Sequence, residues 1–304
     1  MKVIDGFAGI GGFSEGARLA GMEPVFAFNH WDKACHYHKV NHPATHVECQ
    51  DAHILDWSSL PAHDIGVFSP ACQGHSKARG VDKPRHDAMR STAWAVVDYA
   101  EFHAKPIVIE NVPEFLDWDL YPAWKLALEI AGYQLSPHIV DAADHGVPQH
   151  RERVFIVITK TKHPLQLRLP KREHVAVEGF IKWDDTHSWT EIDKPGRSAA
   201  TLERIRSGRE RYGERFVAPF YGSGSGTTGR SVSRPIGTVT TIDRWAVIRG
   251  KHMRVLQPSE NRAIMSFGDH IVLPKVKREA THMLGNAVCP TVARDVLSAL
   301  QAQL

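Results

Sequence analysis

Long apolar runs, paired cysteines and a large net charge are all missing from this sequence of 304 residues. No apolar stretch approaches the roughly 18–20 residues that a membrane-spanning helix needs. The four cysteines, at positions 35, 49, 72 and 289, include no Cys-x-x-Cys pair, which argues against a zinc site or a disulfide framework. The first residues also lack the layout of a signal peptide. We therefore expect a cytoplasmic protein in a reducing environment.

The composition is that of a globular chain, with 42% hydrophobic and 23% charged residues. The net charge is only +3, but it is unevenly distributed. Residues 163–255 hold 17 Lys and Arg against 10 Asp and Glu, whereas the rest of the chain holds 20 against 24. A basic segment beside a mildly acidic remainder indicates a polyanionic partner such as nucleic acid. The alternative is a solvated arginine-rich surface.

Short apolar runs alternate with amphipathic stretches over the first 160 residues. The runs predict strands at Val3–Phe7, Pro24–Phe28, Ile65–Phe68, Ile107–Glu110 and Val154–Ile158. The stretches between them predict helices at Gly12–Ala20, Asp32–Asn41, Ala88–His103 and Ala123–Ala131. This alternation predicts an α/β fold with a doubly wound, mostly parallel sheet. In such sheets ligands bind at the carboxyl ends of the strands.

The alternation is lost at about residue 165. A glycine–serine run at 222–226 predicts a loop, and the alternating run Ile236–Ile242 predicts an antiparallel strand. We therefore predict a catalytic and cofactor-binding domain at 1–164 and a smaller, irregular, β-rich second domain at 165–255. Residues 256–304 return to the first domain, with a helix at Pro258–Phe267 and a C-terminal helix at about 290–300.

A glycine-rich turn, Asp5-Gly6-Phe7-Ala8-Gly9-Ile10-Gly11-Gly12, follows the first predicted strand. Such a turn lets a ligand approach a helix N-terminus, although a purely structural turn is the alternative. Ser14 stands where a dinucleotide-binding motif needs its third glycine, which disfavours a pyrophosphate ligand. Trp31 is a candidate to stack on an adenine ring, or else a core residue. Asp51 is a candidate to bind the adenine amino group, or else a helix N-cap.

Candidate reactive groups follow the later strands. Cys72 lies in a loop of small residues after a strand, as a nucleophile would, although most lone cysteines are inert buried thiols. The polar and basic loop at 73–92 suits closure over a negatively charged substrate. Glu110 is a candidate acid at a strand end. Arg151 and Arg153 are predicted to project to the same side of an extended segment, where they could hold a carboxylate, a phosphate or a base edge.

In this order, the motifs resemble those of the C5-cytosine DNA methyltransferases. The resemblance rests on five motifs: Phe7-Ala8-Gly9, Pro70-x-Cys72-Gln73-x-x-Ser76, Glu110-Asn111-Val112, Gln149-x-Arg151-x-Arg153 and Gly285-Asn286-Ala287-Val288. It covers residues 1–160 and 252–304, and the basic middle falls where that family has its target-recognition domain. It implies a Rossmann-like methyltransferase fold, S-adenosylmethionine as methyl donor and double-stranded DNA as substrate. It also implies a monomer, with a restriction endonuclease as a partner in the same system.

The resemblance also implies a role for each site residue. The Cys72 thiolate would add to C6 of a cytosine flipped out of the duplex, so that C5 can take the methyl group. Glu110 would hold N3 through a proton, Arg153 would contact O2, and Arg151 would be its partner. The implied substrate-binding residues are Gln73, Ser76, Lys77, Arg79 and Gln149. The implied donor-binding residues are Phe7, Ala8, Gly9, Gly11, Gly12, His30, Trp31, Asp51, Asn286 and Val288.

Four positions depart from the family pattern. His30 replaces an acid that binds the ribose, Ala71 a proline, and His75 an aromatic residue, while His150 stands where a basic residue is common. These departures indicate a divergent, phage-like member. They leave open an RNA cytosine-5 methyltransferase, a catalytically weak DNA-binding relative, and an unusual donor or a modified cytosine. The histidines at 36, 38, 42 and 46 lack a convincing fourth ligand, so we expect no metal.

Overall fold

A computed structural model describes residues 1–71, 91–220 and 228–304. Several predicted features lie outside these residues: Cys72, Gln73, His75, Ser76, Lys77, Arg79, the start of the predicted helix Ala88–His103, and the glycine–serine run. Within the described ranges, no helix is long and apolar enough to cross a membrane.

The described part of the chain contains eleven strands and eight α-helices. The strands are β1 (Lys2–Gly6), β2 (Glu23–Asn29), β3 (His46–Cys49), β4 (Ile65–Phe68), β5 (Ile107–Asn111), β6 (Gln134–Asp141), β7 (Glu152–Thr159), β8 (Thr190–Glu191), β9 (Arg215–Pro219), β10 (Trp245–Arg249) and β11 (His252–Val255). The helices are α1 (Gly12–Leu19), α2 (Asp32–Asn41), α3 (Ala95–Phe102), α4 (Tyr121–Ile130), α5 (Ala199–Tyr212), α6 (Pro258–Ile264), α7 (Lys277–Asn286) and α8 (Pro290–Gln301).

The first seven strands form one sheet in the order β3-β2-β1-β4-β5-β7-β6. The strands from β3 to β5 pair in parallel, and β7 pairs antiparallel with both β5 and β6. This mixed, mostly parallel sheet confirms the predicted α/β fold. The strand order reverses between β1 and β4, and a crevice for ligands opens at such a reversal.

Helices cover both faces of this sheet, which explains why β4 is buried along its whole length. The C-terminal helix α8 packs against α1 on one face. The contact is close, because a Cβ on Gly16 would lie 2.4 Å from the Cβ of Ala293. The last helix of the chain therefore buttresses the helix that follows the glycine-rich turn.

A second, antiparallel sheet has the order β8-β11-β10-β9, and helix α5 packs on its strand β9. The predicted strand Ile236–Ile242 is wrong, because only Ile236 forms a bridge, an isolated parallel one with Gln149. The backbone N–H of Val239 instead donates to the Gln149 side-chain oxygen, 3.0 Å away. The domain boundaries at 164 and 255 stay a prediction.

Candidate active site

The glycine-rich turn links β1 to α1 through an unusual backbone. Phe7 has a φ of 60°, a left-handed conformation that is rare for a bulky residue and that often marks a functional site. Gly11, the N-cap of α1, has a φ of 96°. A Cβ at Gly11 would lie 2.4 Å from Nε2 of His42. The positive φ and this close contact both require glycine at position 11.

A cavity of about 320 Å³ opens at the carboxyl ends of β1, β2, β4 and β5. Its lining residues come from strand ends and from the C-terminal part of the chain. They are Phe7, Ala8, Gly9, Gly12, Phe13, Asn29, His30, Trp31, Ser69, Pro70, Ala71, Glu110, His282, Met283, Asn286, Ala287 and Val288. Eight of the ten predicted donor-binding residues are in this set, so folding brings them together.

The indole of Trp31 forms one wall of the cavity beside α7. His282 meets it edge to face, with ring centroids 5.4 Å apart and ring planes at 88°. Nδ2 of Asn286 lies 3.2 Å from Nε2 of the same imidazole. Burial, with a contribution from Arg278, lowers the pKa of His282, so its ring favours the neutral form. The arrangement leaves a flat aromatic surface beside polar ring atoms.

Glu110 reaches the cavity from β5, with only 6% of its surface exposed. Nε of Arg153 on β7 lies 3.0 Å from Oε1 of Glu110. Burial raises the pKa of Glu110, although the positive charges of Arg153 and Arg151 oppose this effect. A carboxyl in this setting holds a proton more readily than one in water, and the guanidinium fixes its orientation.

The residues before Cys72 are held from two sides. The Asn111 side chain donates a hydrogen bond to the carbonyl oxygen of Pro70, at 3.2 Å. The backbone N–H of Ala71 donates to Oγ1 of Thr92, at 3.0 Å. Pro70 and Ala71 both line the cavity, and Cys72 is the next residue in the chain.

Arg151 and Gln149 lie behind the cavity wall, outside the lining set that the structure describes. The Arg151 guanidinium donates to the carbonyl oxygens of Val239, Gly285 and Ala287, at 3.0–3.1 Å. Arg151 therefore does not join Arg153 at Glu110. Side chains two residues apart point to the same side only within a strand. Because β7 begins at Glu152, Arg151 lies outside it and points in another direction than Arg153.

Two predicted donor-binding residues are also absent from the described lining set. Asp51 caps the short helix that follows it, since its Oδ1 accepts a hydrogen bond from the backbone N–H of His53 at 3.0 Å. Its carboxylate thus has the N-cap role that the sequence left as an alternative. Gly11 lies on the side of the turn that faces His42.

Several residues that line the cavity were not predicted as binding or catalytic residues: Asn29, Ser69, Pro70, Ala71, Phe13, His282, Met283 and Ala287. Asn29 ends β2 and Ser69 directly follows β4. Because ligands bind at the carboxyl ends of parallel strands, both residues could have been predicted as site residues. His282 precedes Asn286 by four residues, so the two share one face of a helix. That spacing was the available signal.

Of the four positions that depart from the family pattern, all but His75 lie among the described residues. His30 lines the cavity and is exposed. Nδ1 of His150 pairs with Oδ2 of Asp141 at 2.7 Å. Among the residues that the structure describes, no group of three or more His, Cys, Asp or Glu side chains is placed to hold a metal ion.

Comparison with known proteins gives a consistent picture. A family model described as C-5 cytosine-specific DNA methylase matches residues 1–302. Type II methyltransferase M.NlaX of Neisseria lactamica is 27% identical over 100% of this chain and 97% of its own length. Type II methyltransferase M.HindV of Haemophilus influenzae is 28% identical over 99% of this chain and 96% of its own length.

Solved structures share the fold at lower identity. The Entamoeba histolytica methyltransferase EhMeth matches with a TM-score of 0.69 and 17% identity, over 100% of this chain and 98% of that one. The S. pombe Dnmt2 methyltransferase matches with a TM-score of 0.67 and 15% identity, over 100% of this chain and 99% of that one.

Proposed function

This chain belongs to the C-5 cytosine-specific DNA methylase family and is a DNA (cytosine-5)-methyltransferase, and on that premise we propose that its cavity binds S-adenosylmethionine beside a flipped-out cytosine. One observation carries the proposal. The apolar cavity beside Trp31 ends at a buried carboxyl, Glu110, which is held by Arg153. A donor and an acceptor base can therefore meet in one cavity.

The cavity fits the donor in size and chemistry. Its volume of about 320 Å³ is within the range of small-molecule sites. Trp31 offers a flat surface for an adenine ring, and the backbone at Gly9, where a Cβ would have no neighbour within 4 Å, lets a ligand approach closely. When bound, S-adenosylmethionine supplies a methyl group carried on a positively charged sulfur. His30, Asn286 and Val288 complete the proposed donor set.

The proposed acceptor chemistry uses Cys72, Glu110 and Arg153. The Cys72 thiolate forms a bond to C6 of cytosine, and the electrons of the C5–C6 double bond make C5 nucleophilic. Glu110 donates a hydrogen bond to N3, and Arg153 orients Glu110 and contacts O2. After methylation, loss of the C5 proton and departure of the thiolate restore the ring.

Arg151 and Gln149 support the same site from behind. Arg151 binds the carbonyl oxygens of Gly285 and Ala287, which flank the lining residue Asn286. The Gln149 amide donates to the carbonyl oxygen of Ile264 at 3.2 Å. We therefore propose that these two residues position the cavity wall rather than contact the base.

The acceptor is a cytosine in double-stranded DNA. C5 of a base stacked inside a duplex cannot reach the cavity, so the base must leave the stack, at a cost of roughly a few kcal/mol. Gln73, Ser76, Lys77 and Arg79, which lie outside the described residues, are proposed to contact the DNA around it. Side chains of the predicted second domain, residues 165–255, are proposed to read the target sequence in the major groove.

The relatives M.NlaX and M.HindV are Type II methyltransferases, which supports a place for this chain in a restriction–modification system. We propose that it acts as a monomer and protects DNA from an endonuclease of the same specificity.

The decisive experiment maps C5-modified cytosines in DNA from cells that express the protein. Wild type should modify one short motif, and Cys72→Ala should leave it unmodified. Cys49→Ala is the matched control, because Cys49 is an exposed cysteine outside the cavity lining, and it should retain modification. Modification by Cys72→Ala would overturn the covalent mechanism. Unmodified DNA with wild type, together with modified RNA, would overturn the choice of DNA.

A further inference from the structure

A buried carboxylate lies beneath the glycine-rich turn, and the proposed reaction does not use it. Asp5 on β1 is 1% exposed. Its Oδ2 accepts two hydrogen bonds from Ser14, from the backbone N–H at 2.9 Å and from the hydroxyl at 2.7 Å. Ser14 lies in the first turn of α1. The two bonds therefore tie the end of β1 to the start of α1 across the turn.

His38 of α2 and His42, the residue directly after α2, extend this group below the turn. Nε2 of His38 lies 3.3 Å from Oγ of Ser14, and the rings of His38 and His42 are 4.9 Å apart between centroids. Nε2 of His38 therefore lies within hydrogen-bond distance of the same Ser14 oxygen that bonds to Asp5. His42 packs directly beneath Gly11, as the 2.4 Å approach of its Nε2 to a Cβ there shows.

Asp5 is the member of this group that changes charge near neutral pH. Burial raises the pKa of Asp5 to about 7, although the two bonds from Ser14 oppose this effect. Its Oδ1 has no hydrogen-bond partner among the described residues. Burial and the neighbouring His42 lower the pKa of His38 to about 3, and burial also lowers that of His42. Both imidazoles are therefore neutral at pH 7.

The other charged or titratable groups around this cluster are Glu15, Arg18 and His270. Glu15 and Arg18 of α1 form an ion pair at 2.7 Å. His270, from the loop after α6, lies 3.3 Å from the same Glu15 carboxylate. These three groups face His42, whereas Ser14 provides both hydrogen bonds to Asp5.

We infer that Asp5 is a positioning residue for donor binding, and that its ionised form holds the glycine-rich turn in the shape that binds the methyl donor. This inference deepens the proposed function and rests on it. Residues Phe7 and Phe13, on either side of the turn, line the cavity. An ionised Asp5 accepts shorter and stronger bonds from Ser14, and its negative charge favours a donor with a positive sulfur.

Linkage gives the direction of the pH effect. If the donor favours ionised Asp5, donor binding releases a proton, and affinity rises with pH through the range in which Asp5 ionises. At lower pH the protonated acid binds Ser14 less strongly, and the turn holds the donor less tightly.

The test measures S-adenosylmethionine binding by titration calorimetry at pH 6, 7 and 8, in two buffers of different ionisation enthalpy. For wild type, we expect the dissociation constant to fall about three- to tenfold from pH 6 to pH 8, with proton release near pH 7. Asp5→Asn imitates the protonated acid. It should show the wild-type pH 6 affinity throughout, without that proton release.

Two further variants separate this effect from others. Ser14→Ala keeps the carboxylate but removes a bond that favours ionisation, so the midpoint should move to higher pH. His36→Gln, on the exposed side of the same helix as His38, should keep the wild-type profile. Titration of the donor, or of His282 and Glu110 on the cavity wall, would persist in Asp5→Asn.

The outcomes distinguish a failure of the role inferred for Asp5 from a failure of the donor assignment. A pH profile of Asp5→Asn equal to that of wild type would overturn the role of Asp5 and leave the donor assignment intact. If Asp5→Asn does not fold, an unmoved midpoint in Ser14→Ala would overturn it equally. Folded wild type that binds no S-adenosylmethionine at any pH would overturn the donor assignment, and this inference with it.

Discussion

Two opposing effects set the pKa of the Glu110 carboxyl. Burial favours its neutral, protonated form, while Arg153 at 3.0 Å favours its charged form. The outcome is a raised pKa, so Glu110 retains a proton to a higher pH than an exposed glutamic acid does. A group that must donate a hydrogen bond to cytosine N3 needs that proton.

Replacement of Glu110 by Gln should therefore slow methyl transfer by about 10²- to 10⁴-fold, the usual contribution of a positioned acid. In wild type the rate should fall as pH rises through the raised pKa of Glu110, because the proton is lost. Glu110→Gln should not show this fall. Single-turnover methyl transfer to a duplex oligonucleotide, at saturating donor and a series of pH values, measures both effects.

Glu101→Gln, which removes an exposed carboxylate from the end of α3, is the control and should behave as wild type. A Glu110→Gln enzyme with the wild-type rate and pH profile would show that Glu110 does not act as an acid.

At the scale of secondary-structure elements, Arg151 joins three parts of the chain that are distant in sequence. Arg151 is the residue just before β7. Its guanidinium donates hydrogen bonds to the end of α7 and to the segment that precedes β10. The residue is 3% exposed, so these bonds lie in a protected environment. Loss of the guanidinium would leave the three carbonyl oxygens without these donors.

Arg151→Met should lower the free energy of unfolding by several kcal/mol, at about 1–3 kcal/mol for each buried carbonyl left unsatisfied. It should also weaken donor binding, because Asn286 and Ala287 line the cavity. Urea denaturation and donor titration measure the two effects. Arg168→Met, at an exposed position, is the matched control. Unchanged stability of Arg151→Met would contradict the positioning role.

At the scale of the whole molecule, charge is divided between the two sheets. The basic segment 163–255 contains the second sheet, and the mildly acidic remainder contains the cavity. Not every arginine of this segment is available for DNA. Arg206 on α5 bonds to both Glu203 and Glu210, at 2.6 Å. Internal pairing of this kind reduces the charge that a phosphate would meet.

Because the basic segment is proposed to contact DNA phosphates, DNA affinity should fall as the salt concentration rises, with a log–log slope of about −0.9 for each phosphate contacted. Arg206→Gln should leave that slope nearly unchanged, since its charge is already paired. Fluorescence anisotropy with a labelled duplex, over a series of salt concentrations, measures the slope. An affinity that is independent of salt would contradict a phosphate-binding role for the basic segment.

Local patterns in the sequence were enough to predict much of the first domain and its cavity. Strands β1, β2, β4, β5 and β7 were predicted within a few residues, because buried parallel strands have short, nearly continuous apolar runs. Helix α5, strand β6 and the second sheet were missed or misplaced. In these elements the polar and apolar residues alternate less regularly. In the segment 236–242, which was predicted as a strand, the backbone N–H of Val239 bonds to the Gln149 side chain instead of to a neighbouring strand.

The sequence by itself determined the family and the α/β fold, because motif order and periodicity are properties of neighbouring residues. Only the tertiary structure decided that Arg153 binds Glu110 while Arg151 binds backbone carbonyls, and that Asp5, Ser14 and His38 meet beneath the turn. Those contacts join residues up to 136 positions apart. Their geometry depends on how helices and sheets pack, which no local pattern encodes.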